Sequence, residues 1–348
     1  MPKNCSHLLK LIVFLFIFSA CEDAEDINFK TAGVYIFHEG AFGSNNATVG
    51  NYDPETYEYN PSLYRGQNES FIGDVQQNIL VDSDNDRIYS VLNGSNSIDI
   101  MTLNLKSEGN IRIPELDKPR DIAVEGGLGF IANWGPYDEN FALVNSEIFV
   151  VDLSSNTLIE RIETQEYPEY LFIKNNKLIV SHASFDGSIS ELSIINIDNL
   201  QVEQTISMPS GPQEIIEDAN GSIWIVCTSG SLIELNLTLT AVENTINLEN
   251  EVLGDIDVHE DKLYFYSNSE IFSFSISDNS ITSTGIEVEM DAPYAFAVDP
   301  VSGDFYLGDA LDYSSEGLVI RYSKDGELLD NFQSGIIPTQ FSFNVEGD

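Results

Sequence analysis

His38-Glu39 is the first pair along the chain with the chemistry of a metal-assisted hydrolase. A zinc-protease helix needs a second histidine four residues after the first, and Phe42 stands there instead. Asp82, Asp84 and Asp86 alternate like the start of a calcium loop. Arg87 fills the sixth place, where glycine is required, and Asn93 the twelfth, where glutamate is required, so the segment reads as a hairpin turn. No Gly-x-Ser-x-Gly and no phosphate-cradling glycine loop occurs. His7 belongs to an N-terminal export segment, which leaves His38, His182 and His259. His38 and His182 fall in equivalent loops, where two imidazoles could meet across a channel and assist a metal; the plainer reading is two solvated loop side chains. Cys227 ends an apolar run from Ile223 with no base nearby in sequence, and reads as a small core residue. The expectation is a chain without catalytic residues, cofactor or resident metal.

The elements that must position the remaining polar groups are repeated. A phrase of the form Pro-x-x-apolar-x-apolar starts at Pro119, Pro168, Pro212, Pro293 and Pro338, with degenerate copies at Val75 and Gly254. Successive copies lie 39 to 49 residues apart, the period of a four-stranded propeller blade. Each phrase precedes a polar turn and further runs of alternating, β-branched and aromatic residues, such as Lys177 to Val180 and Glu147 to Asp152. No helix is expected beyond the export segment. The last phrase, Pro338 to Phe343, has no second strand after it, whereas Val34 to Phe37 opens the globular part without a first one. The fold expected is all-β: a seven-bladed β-propeller over 33–348, four antiparallel strands per blade. The ring is closed by pairing the C-terminal strand with the N-terminal strands. Binding in such a ring falls to two loop sets, one leading into the innermost strand and one joining the second strand to the third. They offer His38, Gln76, Gln77, Asn93, Arg120, Asn133, Trp134, Tyr137, Tyr170, His182, Gln213, Tyr294 and Gln340 as ligand-binding residues. Amides that hydrogen-bond and aromatic faces that stack suit a sizeable polar ligand, although strand-end amides also serve turn backbones. The long loop Asn133 to Asn145 brings Trp134, Tyr137 and Phe141 to the same face.

The ends and the charge set the address. Lys3 and Lys10 accompany an apolar run, Leu8 to Phe18, too short to span a membrane comfortably, followed by Ser19-Ala20-Cys21. Residues 1–20 read as a lipoprotein signal and Cys21 as the lipidated first residue. Residues 21–32 read as an acidic tether that begins Glu22-Asp23-Ala24-Glu25-Asp26 and resembles an export tag to the outer face of the outer membrane. With Cys5 removed and Cys21 modified, Cys227 is left without a disulfide partner. Fifteen basic against 57 acidic residues, a net charge of −42, argue against nucleic acid and against anionic lipid surfaces, so the membrane is reached through the lipid alone. A monomeric domain is expected.

The run His38-Glu39-Gly40-Ala41-Phe42-Gly43-Ser44-Asn45-Asn46-Ala47, together with Gly73 to Gln77, Ile88 to Asn93 and Asn133-Trp134-Gly135, resembles the YncE-like surface propellers of Gram-negative bacteria. That resemblance, spanning 34–348, implies a cell-surface lipoprotein. Its cobalamin-capturing BtuG-type members imply a nutrient, cobalamin or a related corrinoid, handed to a TonB-dependent outer-membrane transporter. His38 departs from the asparagine commoner in the family. Two other readings stand beside capture. One is a propeller hydrolase or lyase acting on a lactone or glycan through Asp121, Glu169, Glu214 and Asp255. The other is a scaffold that binds proteins along its outer blade edges.

Overall fold

The computed structural model describes residues 29–248 and 250–347. The signal, Cys21 and residues 22–28 of the tether lie outside the described residues. Seven sheets of four antiparallel strands form the ring. The innermost strands are Pro338–Gly347, Gln76–Asp82, Pro119–Glu125, Pro168–Lys174, Pro212–Glu217, Val252–His259 and Pro293–Val298, numbered here as blades 1 to 7. Inner and middle strands bury both faces against neighbouring blades, which is why Ile223–Cys227 is apolar throughout and wholly buried. The core is therefore a set of seams between blades. Ile100, Ile122, Ile131 and Phe149 pack across blades 2 and 3, and Ile179, Ile194, Ile215 and Ile225 across blades 4 and 5.

The termini close the ring as expected. Val34 pairs with Phe343, Ile36 with Phe341 and Phe37 with Gln340. The pairing runs back to Phe29, so the strand Phe29–His38 starts inside the stretch expected as tether. The closing strand is also pressed against blade 7. A Cβ on Gly317 would sit 2.6 Å from both the Asp309 carbonyl oxygen and Pro338 Cδ, so only glycine fits there. Arg321 of blade 7 donates to Asp304 Oδ2 at 2.7 Å and to the Pro54 carbonyl of blade 1 at 2.9 Å, bolting the seam.

One element corrects the sequence reading. Leu63–Asn68 is a short α-helix between blades 1 and 2. Its sequence, with Gly66 inside and no side-chain cap, carries no helical signal. Tertiary contacts hold it: Tyr64 is buried beside Met101 and Leu105, and Asn68 Nδ2 donates to the Leu105 carbonyl at 2.7 Å. The aspartates at 82–86 form a hairpin turn, with Asp82 Oδ1 accepting from the Asn85 N–H.

Candidate ligand-binding site

The repeated phrase is a β-bulge, and the bulge builds the site. In every innermost strand the ladder to the second strand slips just inside the loop end. It skips Gln77, Arg120, Glu169 and Tyr170, Gln213 and Glu214, Leu253 to Asp255, Tyr294, and Thr339. A bulge unpairs its extra residues and re-aims their side chains. The residue just before the strand is left-handed at Val75, Lys118, Tyr167, Gly211 and Ile337. For β-branched Val75 and Ile337 that conformation is strained, and such strain gathers at functional faces.

Most of the bulged residues line one cavity of about 270 Å³ in the central channel. Gln77, Tyr170, Gln213, Glu214, Asp255, Asp257, Tyr294, Phe296, Gln340 and Phe341 contribute to its wall. The acids also staple blade to blade. Asp121 Oδ2 accepts from the Leu171 N–H at 2.7 Å, Glu214 Oε2 from Ile256 at 2.9 Å, Asp255 Oδ2 from Phe296 at 2.9 Å, and Asp257 Oδ2 from Val298 at 2.8 Å. Each N–H belongs to the free edge of the next innermost strand, where it has no ladder partner, so the carboxylate satisfies it. Burial pushes Asp121 and Asp255 up to about 7 and Asp257 up to about 6, against the N–H bonds that favour their charge. Glu214 is raised well above the carboxylate range by burial and then by the charge of Asp255. Tyr170 is held far above a normal phenol, by burial and then by Asp255, Glu214, Glu169 and Asp121.

A second network sits beside the cavity. Arg120 Nε donates to Glu169 Oε2 at 2.8 Å and Nη1 to Gln77 Oε1 at 2.6 Å, and its guanidinium lies 4.3 Å from the centre of the Trp134 ring. Tyr294 donates its hydroxyl to Glu39 Oε2 at 2.6 Å. Burial raises the Glu39 carboxyl, while the Tyr294 hydroxyl and the Arg120 charge pull it back. Glu39 escaped the sequence reading, because its loop carried no chemical motif beyond the failed zinc pattern.

Above the channel the loops carry aromatics. Phe42, Phe141 and Phe185 are 87%, 84% and 84% exposed and Tyr313 is 51% exposed, each in a loop between second and third strands. Phe71 and Tyr137 are exposed on the same face. Among the described residues, the opposite face shows only Tyr57 as an exposed aromatic of its turns, and Phe29 stands at a strand start. The crown reaches inward: Tyr313 meets Tyr294 edge-on at 5.9 Å, and Phe185 meets Trp134 at 5.5 Å.

The sequence-derived residues divide into three groups. Gln77, Tyr170, Gln213, Tyr294 and Gln340 line the cavity, with Arg120 and Trp134 in the adjoining network and Tyr137 on the crown beneath Lys118. Asn93 and Asn133 serve backbones: Asn93 Nδ2 donates to the Pro119 carbonyl, and Asn133 Oδ1 accepts from the Asp117 N–H. Gln76 is wholly buried. His38 and His182 do not meet. His38 is buried between blades 1 and 7, against Tyr59 and Gly335, and His182 in blade 4, against Glu166 and Ser193, and burial lowers both to about 4. A histidine at the end of a second strand points between sheets, whereas the bulged residues point into the channel. Among the described residues, no group of three or more His, Cys, Asp or Glu is placed to hold a metal ion.

No family model and no curated protein matches the chain. Its fold is similar to solved propellers. A quinonprotein alcohol dehydrogenase-like protein from Bacteroides thetaiotaomicron aligns with TM-score 0.68 and 15% identity, over 90% of this chain and 78% of that one. A 6-phosphogluconolactonase-like protein from Bacteroides fragilis aligns with TM-score 0.65 and 13% identity, over 90% and 98%. Hydrazine synthase from Kuenenia stuttgartiensis aligns with TM-score 0.61 and 14% identity, over 78% and 95%. At such identities the likeness is one of fold.

Proposed function

We propose that this propeller is a capture protein that binds an organic ligand on its loop face and performs no chemistry on it. The observation that carries this reading is the crown of six exposed aromatics on the face above the channel cavity, against Tyr57 and Phe29 elsewhere among the described residues. Exposed aromatic rings are unfavourable in water unless something covers them, and loops on a rigid ring are where a ligand is gripped. Asp121, Glu214 and Asp255 each give one oxygen to the N–H of a neighbouring blade, a structural use that favours binding over catalysis. In this reading Cys21 carries the lipid, the protein faces the exterior of the outer membrane, and a TonB-dependent transporter receives the cargo. A corrinoid is the ligand that the sequence resemblance suggests. It is far larger than the 270 Å³ cavity, so it would rest across the crown with its amide arms toward Gln77, Gln213 and Gln340.

Calorimetric titration with cobalamin and cobinamide tests this. Saturable binding that weakens at least tenfold in the Phe141→Ser, Phe185→Ser double variant supports it. Binding that ignores those substitutions removes the crown from the site, and absence of binding removes the corrinoid.

A further inference from the structure

We infer that the loop crown docks an arginine-rich basic segment of a partner protein, laid across the mouth of the channel. This goes beyond the capture reading by assigning the crown a protein partner, and its test contains no corrinoid, so the two proposals fail separately.

The chain makes its own version of this contact at four places. Arg120 lies 4.3 Å from the centre of the Trp134 ring and 2.8 Å from Glu169. Lys118 lies 4.9 Å from the centre of the Tyr137 ring and 2.9 Å from Asp117. Arg161 lies 5.0 Å from the centre of the Phe149 ring and 3.3 Å from Glu115. Arg321 lies 5.5 Å from the centre of the Tyr306 ring and 2.7 Å from Asp304. In each, a ring and a carboxylate share one cation, which gains from the ring face and from the ion pair together.

The crown repeats the ring and the carboxylate with no cation of this chain between them. Phe42 precedes Gly43, whose N–H donates to Asp74 Oδ2 at 3.0 Å. Asp138 Oδ1 accepts from the Asn140 and Ala142 N–H groups on either side of Phe141. Phe185 is followed by Asp186, which accepts from the Ser184 and Ser188 hydroxyls. Tyr313 is preceded by Asp312, which accepts from the Ser314 and Ser315 N–H groups. Among the described residues, no Lys or Arg lies over these four rings or pairs with these four carboxylates. Hydrogen bonds from Ser188 and Ser184 hold Asp186 down to about 2, and those from Ala142 and Asn140 hold Asp138 below the usual carboxylate range, so both stay charged.

The blade order sets the size of the occupant. Tyr313 and Phe42 stand on the neighbouring blades 7 and 1, and Phe141 and Phe185 on the neighbouring blades 3 and 4, so the two sets face each other across the channel. One small cation serves one ring and its carboxylate, whereas an occupant of both sets must carry several cations along a chain. Arginine suits the contact because its planar guanidinium stacks on a ring while its edge pairs with a carboxylate, a geometry that a lysine ammonium lacks. The net charge of −42 draws a basic partner in from any side, and the rings are what select the crown.

Fluorescence anisotropy with labelled nona-arginine and nona-lysine, added to the purified chain at about 0.15 M salt, tests this. Nona-arginine is expected to bind saturably, and nona-lysine at least about threefold more weakly. The Phe141→Ser, Phe185→Ser double variant is expected to weaken nona-arginine about tenfold or more, and so is Asp138→Asn, Asp186→Asn. Asparagine keeps the oxygen that the turn donors need, so the second variant reads the contact with the loops intact. Asp84→Asn, Asp86→Asn removes the same charge from the opposite face and should change the affinity by less than about twofold. Absence of saturable binding, crown variants that bind like the parent, an opposite-face variant that loses as much as they do, or nona-lysine binding as tightly as nona-arginine overturns the inference.

Discussion

Arg120→Ala should cost about 3–5 kcal/mol of stability, most of it paid by a group that is not mutated. Glu169 keeps only 6% of its side chain exposed, and Arg120 holds it at 2.8 Å while stacking on Trp134. Removing the guanidinium leaves a buried carboxylate without a counter-charge. Replacing both partners by neutral groups of similar shape, as in Arg120→Met with Glu169→Gln, leaves no orphaned charge and should restore stability to within about 1–2 kcal/mol of the parent. Urea titration followed by tryptophan fluorescence reads this well, because Trp134 lies against Arg120 and the other tryptophan, Trp224, is buried in blade 5. The deficit also has a sign in pH. Burial lifts Glu169 above its unfolded value, and losing Arg120 lifts it further, so protonation favours the folded state and the deficit shrinks as pH falls from 8 toward 5. A single variant costing under 1 kcal/mol, or a double variant that merely sums the two singles, would refute the argument.

Three further outcomes follow from the structure. Gly317→Val places methyl groups where the Asp309 carbonyl and Pro338 already stand, and should lower stability by about 1–3 kcal/mol or more through the ring seam, read as a lower thermal midpoint. His182 is neutral when folded, with its pKa lowered to about 4, so its contribution is present above pH 6.5 and is lost as pH falls toward 4. His182→Gln should therefore show less acid loss than the parent, by up to about 3 kcal/mol between pH 7.5 and 4 in paired denaturation curves. Cys227 is buried, with its thiol pushed up to about 12, and should resist a thiol reagent in the native state and react in full after unfolding.

The ring was legible because a blade is a local pattern repeated. The Pro phrase, the alternation and the unmatched termini each reflect hydrogen bonds that strands must make, and they locate Pro338 to Phe343 beside Val34 to Phe37. The channel lining was legible for the same reason: the one or two residues after each proline of the phrase are the ones that the bulge frees. What the sequence hid depends on packing between distant segments. The helix at Leu63–Asn68 exists because Tyr64 and Asn68 find partners in blade 2. Asn93, Asn133, His38 and His182 carry the same residue types as a ligand site, yet their positions at strand ends commit them to backbones or to the space between sheets. That Glu214 and Asp255 both staple neighbouring blades and line the cavity is a matter of orientation that no spacing encodes.

The capture reading places the ligand on one face of the ring, and oxidative footprinting with mass-spectrometric readout addresses that directly. With cobinamide bound, Phe42, Phe141, Phe185 and Tyr313 should lose reactivity while Tyr57, exposed on the opposite face, stays as reactive as before. Protection centred on Tyr57, or rings of the crown as reactive with ligand as without it, would contradict the account.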